Sequence, residues 1–270
     1  MKILDGGTGT EFLKMGITCD PVLANLSHPQ AVEDLHLAYL QAGADVITAN
    51  TFGAYSHKHK NFTEIIDAAM AHTRAAVKKA GHGMVALDMG PTGLTLEPYG
   101  DATREEIATI FAATVEHGAQ QADLILIETH TDLQELELAV TAALKPGLPV
   151  WATMSFDTRG RTMFGATVGE MVELLETLGV AALGLNCGQG LDYAYIIEET
   201  LSLATVPIIF QPNAGLPKVV DGAVTYSVLP DEYGAFMAAM AGKGVTILGG
   251  CCGTTPAHIA AMKAACHLEL

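Results

Sequence analysis

The sequence has few basic residues. Fourteen lysines and arginines, only four of them arginine, stand against 30 aspartates and glutamates, which gives a formal charge of −16. Binding to nucleic-acid phosphates requires a basic stripe on the protein surface. The lysines are scattered along the chain and predict no such stripe. The composition therefore argues against a nucleic-acid partner and indicates a well-solvated acidic surface.

Long apolar runs are missing as well. No uninterrupted run reaches the ~18 residues that would suggest a membrane span. The first residues, MKILDGGTGT, contain no apolar stretch long enough for a secretory signal. Five cysteines, an odd number in a chain of 270 residues, do not suggest a disulfide framework. We therefore expect a cytoplasmic protein with no membrane partner, whose cysteines are core, metal-binding or catalytic residues.

Eight short apolar segments rich in β-forming residues alternate with longer amphipathic segments. They are residues 2–5, 44–50, 83–89, 122–128, 149–155, 181–187, 207–213 and 245–251. Helical patterns lie between them, for example at 29–43 and 104–121. Near-continuous apolar strands separated by helices form parallel sheets. We predict an α/β fold, a (β/α)8 TIM barrel, in which residues 1–270 form a single domain; an open doubly wound sheet is the alternative.

The carboxyl ends of the strands carry the chemistry in barrels of this type. Nearly all of the predicted strands end at polar or metal-binding residues. These residues are Asp5, Asn50, Asp88, Glu128, Ser155, Cys187, Asn213 and Cys251. The predicted fold therefore brings residues that are far apart in sequence to one rim of the barrel.

Two adjacent cysteines, Cys251 and Cys252, follow the eighth predicted strand in LGGCCGTTPAH. Alone, such a pair could be small core residues or a vicinal disulfide. Cys187 ends the sixth predicted strand and adds a third sulfur on the same rim. Three thiolates with an open fourth position match a catalytic zinc site. Cys19 and Cys266 lie away from the strand ends, and we interpret both as structural.

Two carboxylates, Asp5 and Glu128, are predicted on this rim, and the backbone N–H groups of DGG lie beside Asp5. Together they suit the ammonium and carboxylate groups of an amino acid. A divalent-metal site that includes Asp88, or ordinary loop capping, is the alternative. His130 follows Glu128 closely. We expect it to be exposed or to cap a helix, with a role as an additional zinc ligand as the alternative.

Several segments match the motifs of one known family. They are DGGTGT (5–10), ADVITANTF (44–52), GPTG (90–93), DLILIETHTDLQE (123–135), GLNCGQG (184–190), QPNAGLP (211–217) and GGCCGTTPAHI (249–259). Over essentially the whole chain, the sequence resembles the homocysteine S-methyltransferase family, and within it the cobalamin-dependent members. The paired NCG and GGCCG elements are highly specific in combination.

The resemblance implies a (β/α)8 barrel in which Cys187, Cys251 and Cys252 bind zinc (Zn2+), with the homocysteine sulfur as the fourth ligand. It further implies that Asp5, Gly6 and Glu128 hold the amino and carboxylate groups of homocysteine. Four other residues in matching motifs are candidates for substrate binding: Asn50, Thr51, Asn186 and Asn213.

The resemblance also implies that homocysteine is methylated to methionine. The motifs GPTG, QPNAGLP and GGCCGTTP favour methylcobalamin, a corrinoid, as the methyl donor, carried by a separate corrinoid protein or by a missing domain. S-methylmethionine, S-adenosylmethionine and betaine are the alternative donors. A non-catalytic zinc- or thiol-binding docking module is the alternative from another functional class. The long segments after the second, third, fifth and seventh strands are candidates for a docking surface.

Overall fold

The computed structural model describes residues 1–188, 190–220 and 223–268. Residue 189 of the GLNCGQG motif and residues 221–222 and 269–270 of the predicted domain lie outside the described residues. Within them the chain forms ten strands. They are β1 (Lys2–Ile3), β2 (Val46–Thr48), β3 (Met84–Met89), β4 (Leu124–His130), β5 (Val150–Met154), β6 (Ala182–Cys187), β7 (Ile208–Pro212), β8 (Lys218–Val220), β9 (Ala223–Thr225) and β10 (Ile247–Leu248).

Eight of these strands form one parallel sheet in the order β1-β10-β7-β6-β5-β4-β3-β2. The two outer strands of this order meet, because Leu4 and Val46 form a parallel bridge and the N–H of Asp45 donates to the carbonyl of Ile3 at 2.7 Å. The sheet is therefore closed rather than open, and the predicted (β/α)8 barrel is confirmed.

Ten α-helices connect or flank the strands within the described residues. They are α1 (Thr8–Lys14), α2 (Ala24–Ser27), α3 (Pro29–Gln41), α4 (Phe62–Ala80), α5 (Arg104–Gly118), α6 (Leu133–Ala143), α7 (Val168–Leu178), α8 (Ala194–Leu203), α9 (Pro230–Gly242) and α10 (Pro256–Leu268). The predicted helices at 29–43 and 104–121 correspond to α3 and to α5 with a short 3₁₀ turn after it. In the described part of the chain, no helix combines the length and apolarity needed to cross a bilayer.

Side chains from the strands fill two apolar layers. One layer lies inside the barrel and includes Leu126, Trp151 and Ile209, and the larger layer lies between the strands and the helices. A glycine is required at position 184 of β6, because a Cβ there would lie 1.9 Å from the carbonyl oxygen of Ile209. Strands buried on both faces explain why the apolar segments of the sequence show no alternation.

Five connections at the carboxyl ends of the strands are long. Four of them, at 49–61, 90–103, 155–167 and 213–229, follow β2, β3, β5 and β7, as the sequence predicts. The fifth, at 4–28, contains α1 and α2. The connection after β7 contains an antiparallel hairpin, β8–β9, that the sequence analysis missed. These five connections all begin at the end of the barrel where the strands end.

Candidate functional site

Three cysteines meet at the carboxyl end of the barrel. Cys187 is the last residue of β6, and Cys251 and Cys252 follow β10. Their sulfur atoms all lie within 4.8 Å of one another, and within the described residues this is the one group of His, Cys, Asp or Glu side chains with spacing suited to a metal ion. All five cysteines are free thiols, so Cys251 and Cys252 do not form the vicinal disulfide that the sequence left open.

Cys187 adopts an unusual backbone conformation. Its φ of 59° lies in the left-handed region, which costs a non-glycine residue about 1–3 kcal/mol. The side-chain amide of Asn213 donates to the Cys187 sulfur at 3.6 Å and to the carbonyl of Gly188 at 3.1 Å. Asn213 therefore stabilises the turn that directs the Cys187 thiol toward the other two cysteines.

Cys251 and Cys252 are held by neighbouring loops. The N–H of Cys251 donates to the carbonyl of Pro212 at 3.1 Å, and the N–H of Ala214 donates to the carbonyl of Cys252 at 3.0 Å. The hydroxyl group of Tyr226 donates to the Cys252 sulfur. The ring of Tyr226 occupies the space beside Gly253, where a Cβ would lie 2.2 Å from it. A glycine is therefore needed directly after the cysteine pair.

The three thiols are close enough to hydrogen-bond to one another and to shift one another's pKa. Hydrogen bonds from Cys251 and Cys252 lower the pKa of Cys187 to about 3. The same contacts with Cys187 raise the pKa of Cys252 to about 11 and that of Cys251 well above its ordinary value. Three thiolates at this spacing repel one another, and a divalent cation bound between them would remove that repulsion. The donor set of three sulfurs suits zinc.

A cavity of about 610 Å³ opens beside the cysteines. Its polar wall combines backbone from the first connection with side chains from several strand ends. The lining residues include Asp5, Gly6, Thr48, Asn50, Asp88, Glu128, Gln211 and the three cysteines. The sequence prediction that Asp5, Gly6, Asn50 and Glu128 lie on one rim with the cysteines therefore agrees with the structure.

Three carboxylates face this cavity, and the pKa of each is raised above its ordinary value. Burial raises the pKa of Asp5 to about 7, although the N–H and hydroxyl groups of Thr48 donate to its carboxylate at 2.9 and 3.0 Å. Burial, then the charges of Asp5 and Cys187, raise the pKa of Glu128 to about 8, against a hydrogen bond from Gln211. The pKa of Asp88 is raised by burial, then by Glu128 and Asp5. A cationic ligand group would relieve this repulsion.

Three predicted substrate-binding residues do not line the cavity: Thr51, Asn186 and Asn213. Asn186 is fully buried, accepts from the N–H of Thr129 at 2.8 Å and donates to its hydroxyl at 2.7 Å. Thr129, with a φ of 64°, follows Glu128 at a break in the β4–β5 register. Asn186 therefore supports the backbone that carries Glu128 and does not face the cavity itself.

Thr51 and Asn50, two other predicted substrate-binding residues, also hydrogen-bond to the protein itself. The hydroxyl of Thr51 donates to the carbonyl of Asp88 at 2.7 Å, so Thr51 supports the end of β3. Asn50 lines the cavity, but its amide N–H groups donate to the carbonyl of Pro21 at 2.7 Å and to the Asn25 side chain at 3.1 Å.

The expectation that His130 is exposed or caps a helix is wrong. Its side chain is fully buried, its ring lies 6.0 Å from the ring of Phe111, and burial lowers its pKa to about 3. His130 ends β4 and packs against α5 through Phe111, whereas Asp132 caps α6 by accepting from the N–H of Gln134 at 2.8 Å. His130 also lies outside the cysteine group.

Two cysteines were interpreted as structural. Cys266 is buried, in agreement with that interpretation, but Cys19 is exposed and lines the cavity. The sequence analysis also missed Thr48, Gln211 and Tyr226. Gln211 had a detectable signal, because it is a polar residue within the apolar strand segment PIIFQPN.

Comparison with known proteins agrees with this geometry. Residues 2–266 match the family model of homocysteine S-methyltransferases. The methionine synthases of Mycobacterium tuberculosis and Mycobacterium leprae are 32% and 29% identical to this chain over 97% of its length, which corresponds to 24% of theirs. The chain thus spans about a quarter of the length of these relatives.

Solved structures give the same fold. Crystal structures of the homocysteine methyltransferase MmuM from Escherichia coli superpose with TM-scores of 0.82 in an oxidized form and 0.81 in a metallated form. Both cover 98% of this chain, and 95% and 96% of theirs, at 23% and 24% identity. From the family match over nearly all residues, and from a cysteine group and cavity at the expected end of the barrel, we conclude that the chain belongs to the homocysteine S-methyltransferase family.

Proposed function

We propose that this protein is a zinc-dependent methyltransferase that transfers a methyl group to the sulfur of homocysteine and forms methionine. The observation that carries the proposal is the position of three cysteine sulfurs, within 4.8 Å of one another, beside a cavity lined by carboxylates. Family membership supports the same reaction. The proposed substrate has a thiol for one end of this site and an ammonium group for the other.

Cys187, Cys251 and Cys252 would hold the zinc ion, and three protein ligands leave one coordination position for a substrate sulfur. Bound zinc supplies Lewis acidity, which lowers the pKa of a thiol so that it reacts as a thiolate at neutral pH. The chain's own contribution is geometric. The left-handed turn at Cys187, fixed by Asn213, directs its sulfur toward the cysteine pair and keeps the group compact.

The substrate's amino-acid end would lie against the carboxylate side of the cavity. There, Asp5 and Glu128 would attract the ammonium group, and the backbone at Gly6 would lie beside it. Asn186 would act indirectly, by fixing the Thr129 backbone and with it the direction of Glu128. Thiol and ammonium recognition at opposite ends would orient the sulfur for attack on a methyl group.

The proposed methyl donor is a methylated corrinoid, methylcobalamin, carried by a separate protein or by another part of a longer chain. Two observations support it. The relatives named above are methionine synthases that extend well beyond the matched region. Most of the exposed large apolar side chains lie on the long connections at the cavity rim: Leu13, Met15, Phe52, Leu94, Tyr99, Met163, Phe164, Leu216, Val219, Val224 and Leu229. Apolar surface concentrated at one end of a protein is typical of a docking face.

Elemental analysis tests the metal assignment. We expect about one zinc per chain in the purified protein and loss of zinc when Cys187, Cys251 and Cys252 are replaced together by Ala. Cys19→Ala is the matched control, since Cys19 lines the same cavity outside the cysteine group. Zinc that remains at full occupancy in the triple variant would overturn the assignment.

Methylation assays with separate donors test the reaction. We expect homocysteine to be converted to methionine with methylcobalamin, which stands in for a protein-bound corrinoid. Turnover with S-methylmethionine, S-adenosylmethionine or betaine, and none with methylcobalamin, would refute the corrinoid donor and leave the zinc site in place. A protein that binds zinc and homocysteine but turns over none of these donors would be a docking module.

A further inference from the structure

The three carboxylates of the cavity differ in how their oxygens are satisfied. Both carboxylate oxygens of Asp5 accept hydrogen bonds from Thr48. Glu128 accepts a hydrogen bond from Gln211. Asp88 is 94% buried, since only 6% of its surface is exposed, and its Oδ1 atom has no hydrogen-bond partner. Of the three, Asp88 therefore has a buried acceptor that is free to receive a ligand.

The backbone at Asp88 is held firmly. The hydroxyl of Thr51 accepts from the N–H of Asp88 at 3.1 Å and donates to its carbonyl at 2.7 Å. Asp88 also pairs with Leu126 in the parallel register of β3 and β4. Asp88 lines the cavity, and a residue on a strand fixed in this way needs little backbone reorganisation to bind a ligand.

In the part of the chain that the structure describes, the cavity lining provides no buried positive charge beside the three carboxylates. Lys58 is the only lysine or arginine among the lining residues of the described chain, and it is exposed. None of the ion pairs within the described ranges includes Asp5, Asp88 or Glu128. A buried charge without a partner is costly. An ammonium group with three N–H donors supplies both the missing charge and the missing hydrogen bonds.

We propose that Asp88 is a specificity-determining residue that accepts a hydrogen bond from the α-ammonium group of the amino-acid thiol. Asp5, whose oxygens are already engaged by Thr48, acts mainly as a neighbouring fixed charge. Asp88 thereby selects thiols with a free primary amine and rejects their deaminated or N-acylated counterparts. The inference rests on the proposed function, because it takes a homocysteine-like thiol as the ligand.

The test compares two ligands that differ only in the amine. L-homocysteine and 4-mercaptobutanoate, which has the same chain without the amino group, are titrated into zinc-loaded protein by calorimetry. Losing a hydrogen bond to a charged group weakens binding by roughly 10- to 150-fold. We therefore expect Asp88→Asn to lose homocysteine affinity by about that factor while 4-mercaptobutanoate binds as before or more tightly.

Asp101→Asn is the matched control, since Asp101 is exposed on the connection that follows the same strand. Thermal unfolding checks that Asp88→Asn is folded, and Asp88→Ser repeats the test with a smaller neutral side chain. Equal losses for the two ligands, or homocysteine affinity within twofold of the wild type, would overturn the role of Asp88 alone. Wild-type protein that binds neither thiol would overturn the proposed function, and this inference with it.

Discussion

Replacing Asp5 with Asn should make the free protein more stable while it weakens the site. Asp5 is almost fully buried, and burial raises its pKa from 3.8 to about 7. Because the folded-state pKa is the higher one, Asp5 stabilises the fold fully below about pH 4. That contribution declines as pH rises to 7. An amide oxygen can keep the hydrogen bond from the N–H of Thr48, so the substitution mainly removes the charge.

The expected change in free energy of unfolding follows from the difference between the ordinary pKa of Asp5 and its pKa in the folded protein. Each pKa unit corresponds to about 1.4 kcal/mol, so the buried charge costs about 4 kcal/mol above pH 7. Between pH 5 and pH 8, the gain in free energy of unfolding from Asp5→Asn should grow by about 3 kcal/mol, which is roughly 6–12 °C in melting temperature. Thermal unfolding of chelator-treated, reduced protein at the two pH values measures it. Asp101→Asn is the control for an exposed carboxylate.

The ligand gives a second measurement. At pH 8, homocysteine should reduce the difference in free energy of unfolding between Asp5→Asn and the wild type. Its ammonium group compensates the charge of Asp5, which only the wild type carries. If Asp5→Asn increases the free energy of unfolding equally at pH 5 and pH 8, or lowers it at pH 8, the charge of Asp5 does not destabilise the fold.

Three further changes test other parts of the structure. Asn186→Ala removes the bonds to Thr129, so calorimetry should show homocysteine affinity lowered about tenfold, with zinc content by elemental analysis unchanged; zinc loss would contradict the indirect role. His36→Leu removes a buried imidazole whose two nitrogens lack partners and whose pKa is lowered to about 3. Because the unfolded chain binds that proton below about pH 6.5, urea unfolding should show a gain about 2 kcal/mol larger at pH 5 than at pH 7.5. Gly184→Ala places a Cβ 1.9 Å from the Ile209 carbonyl and should cost at least about 1–3 kcal/mol in urea unfolding; wild-type stability would contradict the close approach of β6 and β7.

Apolar periodicity was sufficient to predict the barrel, because parallel strands buried on both faces appear as continuous apolar segments. Several predicted strands extend beyond the observed ones, although β4 continues to His130, past its predicted end at residue 128. Residues 44–50 were predicted as a strand, but β2 ends at Thr48, and Asn50 hydrogen-bonds to Pro21 and Asn25 instead of to a neighbouring strand. Residues that leave the sheet to build the site still look like strand in the sequence.

The site was predictable where residue chemistry is distinctive and not where it depends on packing. Three cysteines at strand ends form a recognisable pattern. The burial of His130 against α5 depends instead on a register break in β4, which no sequence signal indicates. The β8–β9 hairpin was missed because its strands are short. Only the structure shows that this hairpin is followed by Tyr226, whose ring packs on the loop that contains Cys252.

The pairing of the first and last strands of the chain lies beside the candidate site. β1 pairs with β10, the N–H of Gly250 donates to the carbonyl of Asp5 at 2.8 Å, and the N–H of Gly7 donates to the hydroxyl of Thr254 at 3.0 Å across 247 positions of the chain. A ligand that spans Cys251 and Asp5 would therefore bridge the seam between the first and last strands. Local opening of that seam would then be coupled to release of the ligand, because a ligand that binds only the closed seam stabilises it. Amide hydrogen exchange at residues 4 and 250 would then report occupancy of the site.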